Sequence, residues 1–259
     1  MSSSKTRNHP PAGDAVSFFD RISGTYRDKY SGQSPFHRYY FNERLDKAIN
    51  GLDLDGKDVL DIGSGAGNLY DALIRRFPQV NFHATDVSTG MLAQSRVPRD
   101  HQFCGHAYDH DFPVRSFDAI FMLGVTTYLD RTELERNLSF VAHSLKAGGV
   151  AIITFTNKHS LDYLLRAFFR IPVRFLGSGD NVLSSGIRTH AYSYKEVRQL
   201  LSPFLRIRQI DVHNHTIFPL NLLLPRPSLF IAERLAQVPG SPSWLRFLSS
   251  DLLVHLNHG

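Results

Sequence analysis

Val59-Leu60-Asp61-Ile62-Gly63-Ser64-Gly65-Ala66-Gly67-Asn68-Leu69 joins an apolar run to a glycine-rich turn and then to a helical pattern. Val59, Leu60 and Ile62 suit a buried strand, while Gly63, Gly65 and Gly67 permit positive φ and a close approach of backbone to a ligand. Leu69, Leu73 and Ile74 recur at helical spacing, which faces the amides of a helix N-terminus toward the turn. The spacing is G-x-G-x-G, with Asn68 where a dinucleotide fingerprint has its third glycine. Asp61 precedes the first glycine by two residues, where a carboxylate repels a pyrophosphate and attracts a cation. The ligand at this turn is therefore expected to carry positive charge.

Further stretches follow in order: Asn81-Phe-His-Ala-Thr-Asp86, an acid closing a second strand; Gly105-His-Ala-Tyr-Asp109; Phe112-Pro113; and Ser116-Phe-Asp-Ala-Ile-Phe-Met-Leu123. Together with Asp61 to Gly67, the first motif, they resemble the class I S-adenosylmethionine-dependent methyltransferases, small-molecule or lipid type, over roughly residues 15 to 215. The resemblance implies an α/β fold: a Rossmann-like, doubly wound, seven-stranded and mostly parallel sheet with helices on both faces. It implies S-adenosyl-L-methionine as cofactor and S-adenosyl-L-homocysteine as product. Asp61, Gly63, Ser64, Gly65 and Gly67 would form the turn around the cofactor, Asp86 would accept the ribose hydroxyls, and Val87 and Met91 would pack on the adenine. The family's usual acid at the adenine amino group is His106 here, so either Ala107 and a neutral His106 share that edge or the contact moves to Asp109. Leu123 closes the strand whose carboxyl end points at the acceptor.

The 259 residues suffice for one sizeable α/β domain with additions, read as a polar tail over 1–14 and a single domain over 15–259. No apolar run approaches the length that crosses a bilayer, and a cytoplasmic protein is expected. The single cysteine, Cys104, excludes an internal disulfide and reads as a buried bystander. Thirteen histidines show no metal-ligand spacing, so no metal is expected. A formal charge of +5 is too dispersed to argue for nucleic acid, and it suits acidic substrates or an anionic membrane surface.

Residues 15–52 read as an aromatic helical cap, broken at Ser31-Gly-Gln-Ser-Pro35, in which Tyr26 and Tyr30 are candidates for the methionine carboxylate or for core packing. Two apolar insertions over 157–191 and 217–249 include arginines at 166, 170 and 174. They either cover the sheet, or form an apolar acceptor pocket or a peripheral membrane face. A hydrophobic, lipid-like or natural-product small molecule is the expected acceptor, methylated on O or N and less readily on C. An alcohol or phenol needs a base, and the candidates are His190, Tyr128 and Tyr192, with His159 behind them. A non-catalytic cofactor-binding or membrane-associated partner protein is the alternative, and the oligomeric state is not legible.

Overall fold

The computed structural model of the chain describes residues 13–30, 35–173 and 189–258. The first half runs α1 (Gly13–Tyr30), α2 (Pro35–Ile49), β1 (Asp58–Ile62), α3 (Asn68–Arg76), β2 (Asn81–Asp86), α4 (Thr89–Gln94), β3 (Gln102–Cys104) and β4 (Phe117–Met122). The second runs α5 (Arg131–Ser144), β5 (Leu145–Thr156), α6 (Leu161–Val173), α7 (Tyr194–Leu201), β6 (Arg206–His213), α8 (Leu220–Leu223), α9 (Pro225–Ala236), α10 (Ser243–Phe247) and β7 (Asp251–Asn257). The sheet has seven strands in the order β3-β2-β1-β4-β5-β7-β6. β1 to β5 pair in parallel, and β7 inserts antiparallel between β5 and β6.

Strand alternation builds a core on each face. Ile120, Met122, Ile153 and Val254 turn to the side covered by Leu134, Leu138 and Val141 of α5 and Val197 and Leu200 of α7. Their neighbours Ala119, Phe121, Ile152 and Leu253 turn to the side covered by Ala48 of α2 and Leu69 and Leu73 of α3. Both faces bury apolar side chains, which is why the central strands read as continuous apolar runs. This is the doubly wound sheet that the motifs predict.

Three details depart from expectation. Lys146-Ala-Gly-Gly149 reads in the sequence as the end of α5, with a strand over Val150 to Phe155, yet β5 begins at Leu145, because the pairing shifts between Phe117 opposite Leu145 and Ala119 opposite Val150. Lys146 in that irregular stretch places Nζ 2.7 Å from both Asp58 and Asp118, tying the amino ends of β1, β4 and β5. Cys104 is exposed, since it lies on the short edge strand β3. α1 starts at Gly13, inside the expected tail. Residues 1–12 of that tail, the break at 31–34, and residues 174–188 with Arg174 lie outside the described residues.

Helix starts follow sequence signals. Asp130 and Glu133 form a reciprocal cap on α5, as Ser193 and Glu196 do on α7, each satisfying backbone donors that the first helical turn leaves open. α1 lies on α4, where Asp20 accepts hydrogen bonds from Ser88 Oγ at 2.5 Å and Gly90 N at 3.0 Å. α2 lies between the sheet and α9, where Tyr39 donates to the Ala232 carbonyl at 3.0 Å.

Candidate functional site

A cavity of about 1170 Å³ opens at the carboxyl ends of β1, β2, β4 and β5, beneath α1, α2 and α6. Ligands of open α/β sheets bind at this end because loops there diverge to opposite faces. The floor is the turn after β1, whose Gly63, Gly65 and Gly67 have φ of 70°, 55° and 79°. Gly63 and Ser64 amides donate to the Thr85 carbonyl at 2.8 and 3.0 Å, fixing the turn to β2. A Cβ at Gly63 would run into the side chain of Val125, whereas at Gly65 its nearest neighbour would be the Tyr26 ring, 3.8 Å away. Gly63 is thus a packing requirement, and Gly65 keeps space open.

Asp86 sits at the end of β2, accepting from Gly65 N through one oxygen and Ser88 N through the other, each at 2.8 Å. Burial raises its carboxyl above the usual range, against the pull of those two amides. Each oxygen retains a lone pair for a ligand hydroxyl. Asp61 is buried, and among the described residues no side-chain or backbone donor hydrogen-bonds its carboxylate. Burial and the nearby Asp86 charge push Asp61 well upward, while the Arg44 guanidinium opposes the shift. Ser64 Oγ is likewise buried without a partner among the described residues. Two desolvated carboxylates and an idle hydroxyl around an open glycine form a cradle for a ligand carrying a cation and hydroxyls.

Tyr26, Asp61, Gly63, Ser64, Gly65, Asp86, Val87, Met91, His106, Ala107 and Leu123 all border the cavity. His106 stacks on Tyr108 with ring centres 4.9 Å apart. Two expected residues fall elsewhere. Gly67 does not border the cavity; it starts α3 in the left-handed region, where a Cβ would collide with Ser95. Tyr30 ends α1, and its side chain lies outside the described residues.

On the acceptor side the expected catalytic set separates. Tyr128 borders the cavity, edge to face with Phe19 at 5.1 Å, and burial raises its phenol above the ordinary range. His190 is not on the wall: its amide donates to the Thr127 carbonyl at 2.7 Å, and it is Thr189 beside it that faces the cavity. Tyr192 is turned into the core, edge to face with Phe155 at 5.4 Å, with its amide and carbonyl bonded to Thr156 and Lys158. His159 is exposed and off the wall.

The residues that occupy this end carry no local signature. Arg44 of α2 holds its guanidinium 5.2 Å from the ring centres of both Tyr40 and Phe41 and reaches toward Gly124. Asp251, first in β7, is held by Asn214 Nδ2 at 3.3 Å and Thr156 Oγ1 at 3.4 Å, and burial lifts its carboxyl to about 6. Asp162 and Arg166 pair at 2.7 Å across one turn of α6. This end is polar, and no described residue of 217–249 lines it. Of the two insertions, the first contributes Tyr163, Arg166 and Ala167 to the wall, while the second packs on α2 and leaves Leu222, Leu223, Phe230 and Trp244 exposed. What could have pointed to Asp251 is a lone acid opening the apolar run Leu252 to Leu256.

Residues 60–151 match the family model of a methyltransferase domain. The O-methyltransferase sol2 of Alternaria solani is 33% identical over 160 residues, 49% of this chain and 37% of that one, so the match spans little over a third of that relative. The demethylmenaquinone methyltransferase of Thermotoga maritima is 25% identical over 207 residues, 77% of this chain and 84% of that one. The crystal structure of magnesium protoporphyrin IX methyltransferase from Synechocystis, with bound S-adenosylhomocysteine, superposes with a TM-score of 0.62 at 14% identity, covering 96% of this chain and 99% of that one. The cradle around Gly65 suits S-adenosylmethionine, a sulfonium and ammonium compound bearing a ribose. Residues 60–151 are thus a methyltransferase domain by sequence, and the described chain has the fold of the class I S-adenosylmethionine-dependent methyltransferases.

Proposed function

We propose that this chain is an enzyme transferring a methyl group from S-adenosylmethionine to an oxygen or nitrogen of a small molecule. The observation that carries the reading is the pair of carboxylates, buried Asp61 and half-buried Asp86, set around a turn whose main chain is open to a ligand. When bound, the cofactor supplies a methyl group on a cationic sulfur that leaves as a neutral thioether, so the leaving group needs no acid. Asp61 and Ser64 are assigned to the charged end of the cofactor and Asp86 to the ribose. Val87 and Met91 flank the adenine, with His106 and Ala107 at its edge. Tyr26 closes over Gly65 from the cap.

The chain's remaining work is to orient the acceptor and exclude water. Phe19, Tyr128 and Tyr40 form an aromatic rim, while Arg44, Arg166 and Asp251 present charge. A hydroxyl acceptor must lose a proton, and Asp251 is the wall carboxylate with a proton affinity close to neutral pH, in place of His190. The acceptor is a molecule with a polar reacting end and an apolar body, in keeping with two relatives named for an O-methyl transfer and for demethylmenaquinone.

Calorimetric titration with S-adenosylmethionine, S-adenosylhomocysteine and NAD tests this directly. The two adenosyl ligands are expected to bind and NAD to give no heat of binding. Asp86→Ala is expected to weaken them by about a hundredfold, because it strips two hydroxyl acceptors and frees two amide donors at about 1–3 kcal/mol each. Unaltered affinity in that variant would overturn the ribose assignment. Binding with no turnover across phenols, quinols, carboxylates and amines would favour a non-catalytic cofactor-binding protein.

A further inference from the structure

Eleven of the twelve exposed large apolar side chains among the described residues lie on α6, residues 220–224, α9 and α10, Val114 being the other. Phe168 is 76% exposed, Leu223 71%, Leu222 69% and Trp244 51%. Isolated exposed apolar residues are ordinary, but eleven on neighbouring segments mark an interaction surface. Three of these segments are joined: the Arg166 guanidinium lies 5.2 Å from the Phe218 ring and the Phe218 amide donates to Asp162 at 2.8 Å, bringing the start of α8 against α6, and α9 follows α8 directly.

We infer that this face docks on an anionic lipid bilayer. Three features select lipid over a protein partner. First, α8 is a single turn of Leu-Asn-Leu-Leu with no buried side chain, bracketed by Pro219 and Pro225. Its amides are already satisfied, Leu222 and Leu223 donating to Pro219 and Leu224 to Leu220 at 2.8–3.0 Å, so its leucines can enter an acyl boundary without stranding polar backbone. Second, residues 217–249 carry Arg226 and Arg234 against the single acid Glu233, with Arg246 turned onto the Tyr194 ring, a local excess of cations suited to anionic headgroups. Third, Trp244 supplies the amphipathic ring favoured at the headgroup level. No described helix is long and apolar enough to cross a membrane, so the contact is peripheral.

α6 links this face to the cavity. Tyr163, Arg166 and Ala167 line the cavity, while Leu164 and Phe168, one turn apart, are exposed. The docking itself rests on the surface alone. That it delivers an apolar acceptor from the bilayer rests on the methyl-transfer reading above.

Flotation of the full chain with phosphatidylcholine vesicles, with and without phosphatidylglycerol, tests the docking. The protein is expected to float with the anionic vesicles, to float less with phosphatidylcholine alone, and to be released in part by high salt. The double variant L222S/L223S and the single variant W244A are expected to weaken vesicle partitioning by about tenfold or more. Their affinity for S-adenosylhomocysteine, measured alongside, should be unchanged, which shows that the variants are folded and keeps this outcome separate from that of the methyl-transfer reading. Wild-type protein that stays at the bottom of the gradient with anionic vesicles would overturn the docking, as would equal flotation of the variants. A wild-type dimer that L222S/L223S converts to monomer would assign the face to a second copy and equally overturn it.

Discussion

The two ends of the cavity are made of different material. At the cofactor end the wall is main chain: Gly63, Ser64 and Gly65 amides bond to Thr85 and Asp86, all within the stretch from β1 to β2. At the acceptor end it is side chain, gathered from distant segments: Asn214 N donates at 2.9 Å to Glu43 across 171 positions, and the Glu43 carboxylate also meets Lys47 at 2.9 Å. Behind that wall His215 Nδ1 meets Ser249 Oγ at 2.9 Å, and Tyr40 stacks on His213. The first end is fixed by backbone conformation and close packing. The second is fixed by the balance of buried charges, so the two should fail in different ways.

Gly63→Ala should show the largest effect at the cofactor end. It imposes a strained φ and drives a methyl group into Val125. Strain of about 1–3 kcal/mol and overpacking of similar size make a loss of about 4 kcal/mol the expected outcome in urea unfolding. Gly65→Ala shares the positive φ but has space, so about 1–2 kcal/mol is expected, with S-adenosylhomocysteine affinity falling more than stability does. Equal losses in the two variants would break the claim that close packing, not φ alone, fixes this wall.

The same contrast explains what was legible in the sequence. The turn announces itself because a main-chain site forces glycine into a contiguous stretch, with Asp61 and Asp86 at strand ends set by simple apolar periodicity. The longer strands were readable for that reason too, apart from the three-residue β3 and the irregular start of β5, where Lys146 trades strand regularity for two carboxylates. Arg44, Asn214 and Asp251 were not readable, since their meeting depends on α2 crossing the end of β6 and β7. His190 and Tyr192 drew attention by side-chain chemistry, but Tyr192 pairs with Asn157 in an isolated bridge that turns its ring inward. Residue type alone cannot distinguish a wall position from a buried one next to it. Insertions rich in leucine and phenylalanine read alike as a sheet cover, a pocket lining or a membrane face, because composition does not say which side of a helix meets the body; eleven of their large apolar side chains are exposed.

The acceptor end should reveal itself through pH, with effects of up to about 3 kcal/mol. Asp251 titrates near 6 in the fold against an ordinary 3.8, so between those values the native state holds the extra proton and this group's contribution to stability falls as pH rises. His215 is lowered by burial to about 4 from 6.5, so over that interval the unfolded chain holds the extra proton and its contribution climbs as pH rises. The two slopes oppose one another over most of the same range. Asp251→Asn should therefore make stability rise more steeply from pH 4 to pH 6 than in the wild type, and His215→Gln should tilt it the other way. Thermal melts at intervals across that range check both signs, and parallel profiles for all three proteins would remove charge balance as the organising feature of this end.

The smallest effect sharpens the boundary between main-chain and side-chain control. Ser88 is fully buried beside Asp86, caps α4 by accepting from Met91 N at 3.0 Å, and donates to Asp20 on α1. Loss of the cap in Ser88→Ala should cost about 1 kcal/mol. Asp20 keeps its bond from Gly90 N, so α1 stays seated on α4. The Ser88 amide still reaches Asp86, because the substitution leaves the backbone donor in place. Affinity for S-adenosylhomocysteine should then change by no more than about threefold, as the carboxylate that meets the ribose is positioned by two amides and not by the neighbouring hydroxyl. A loss as large as that in Asp86→Ala would mean that the cofactor end, too, is held by its side chains.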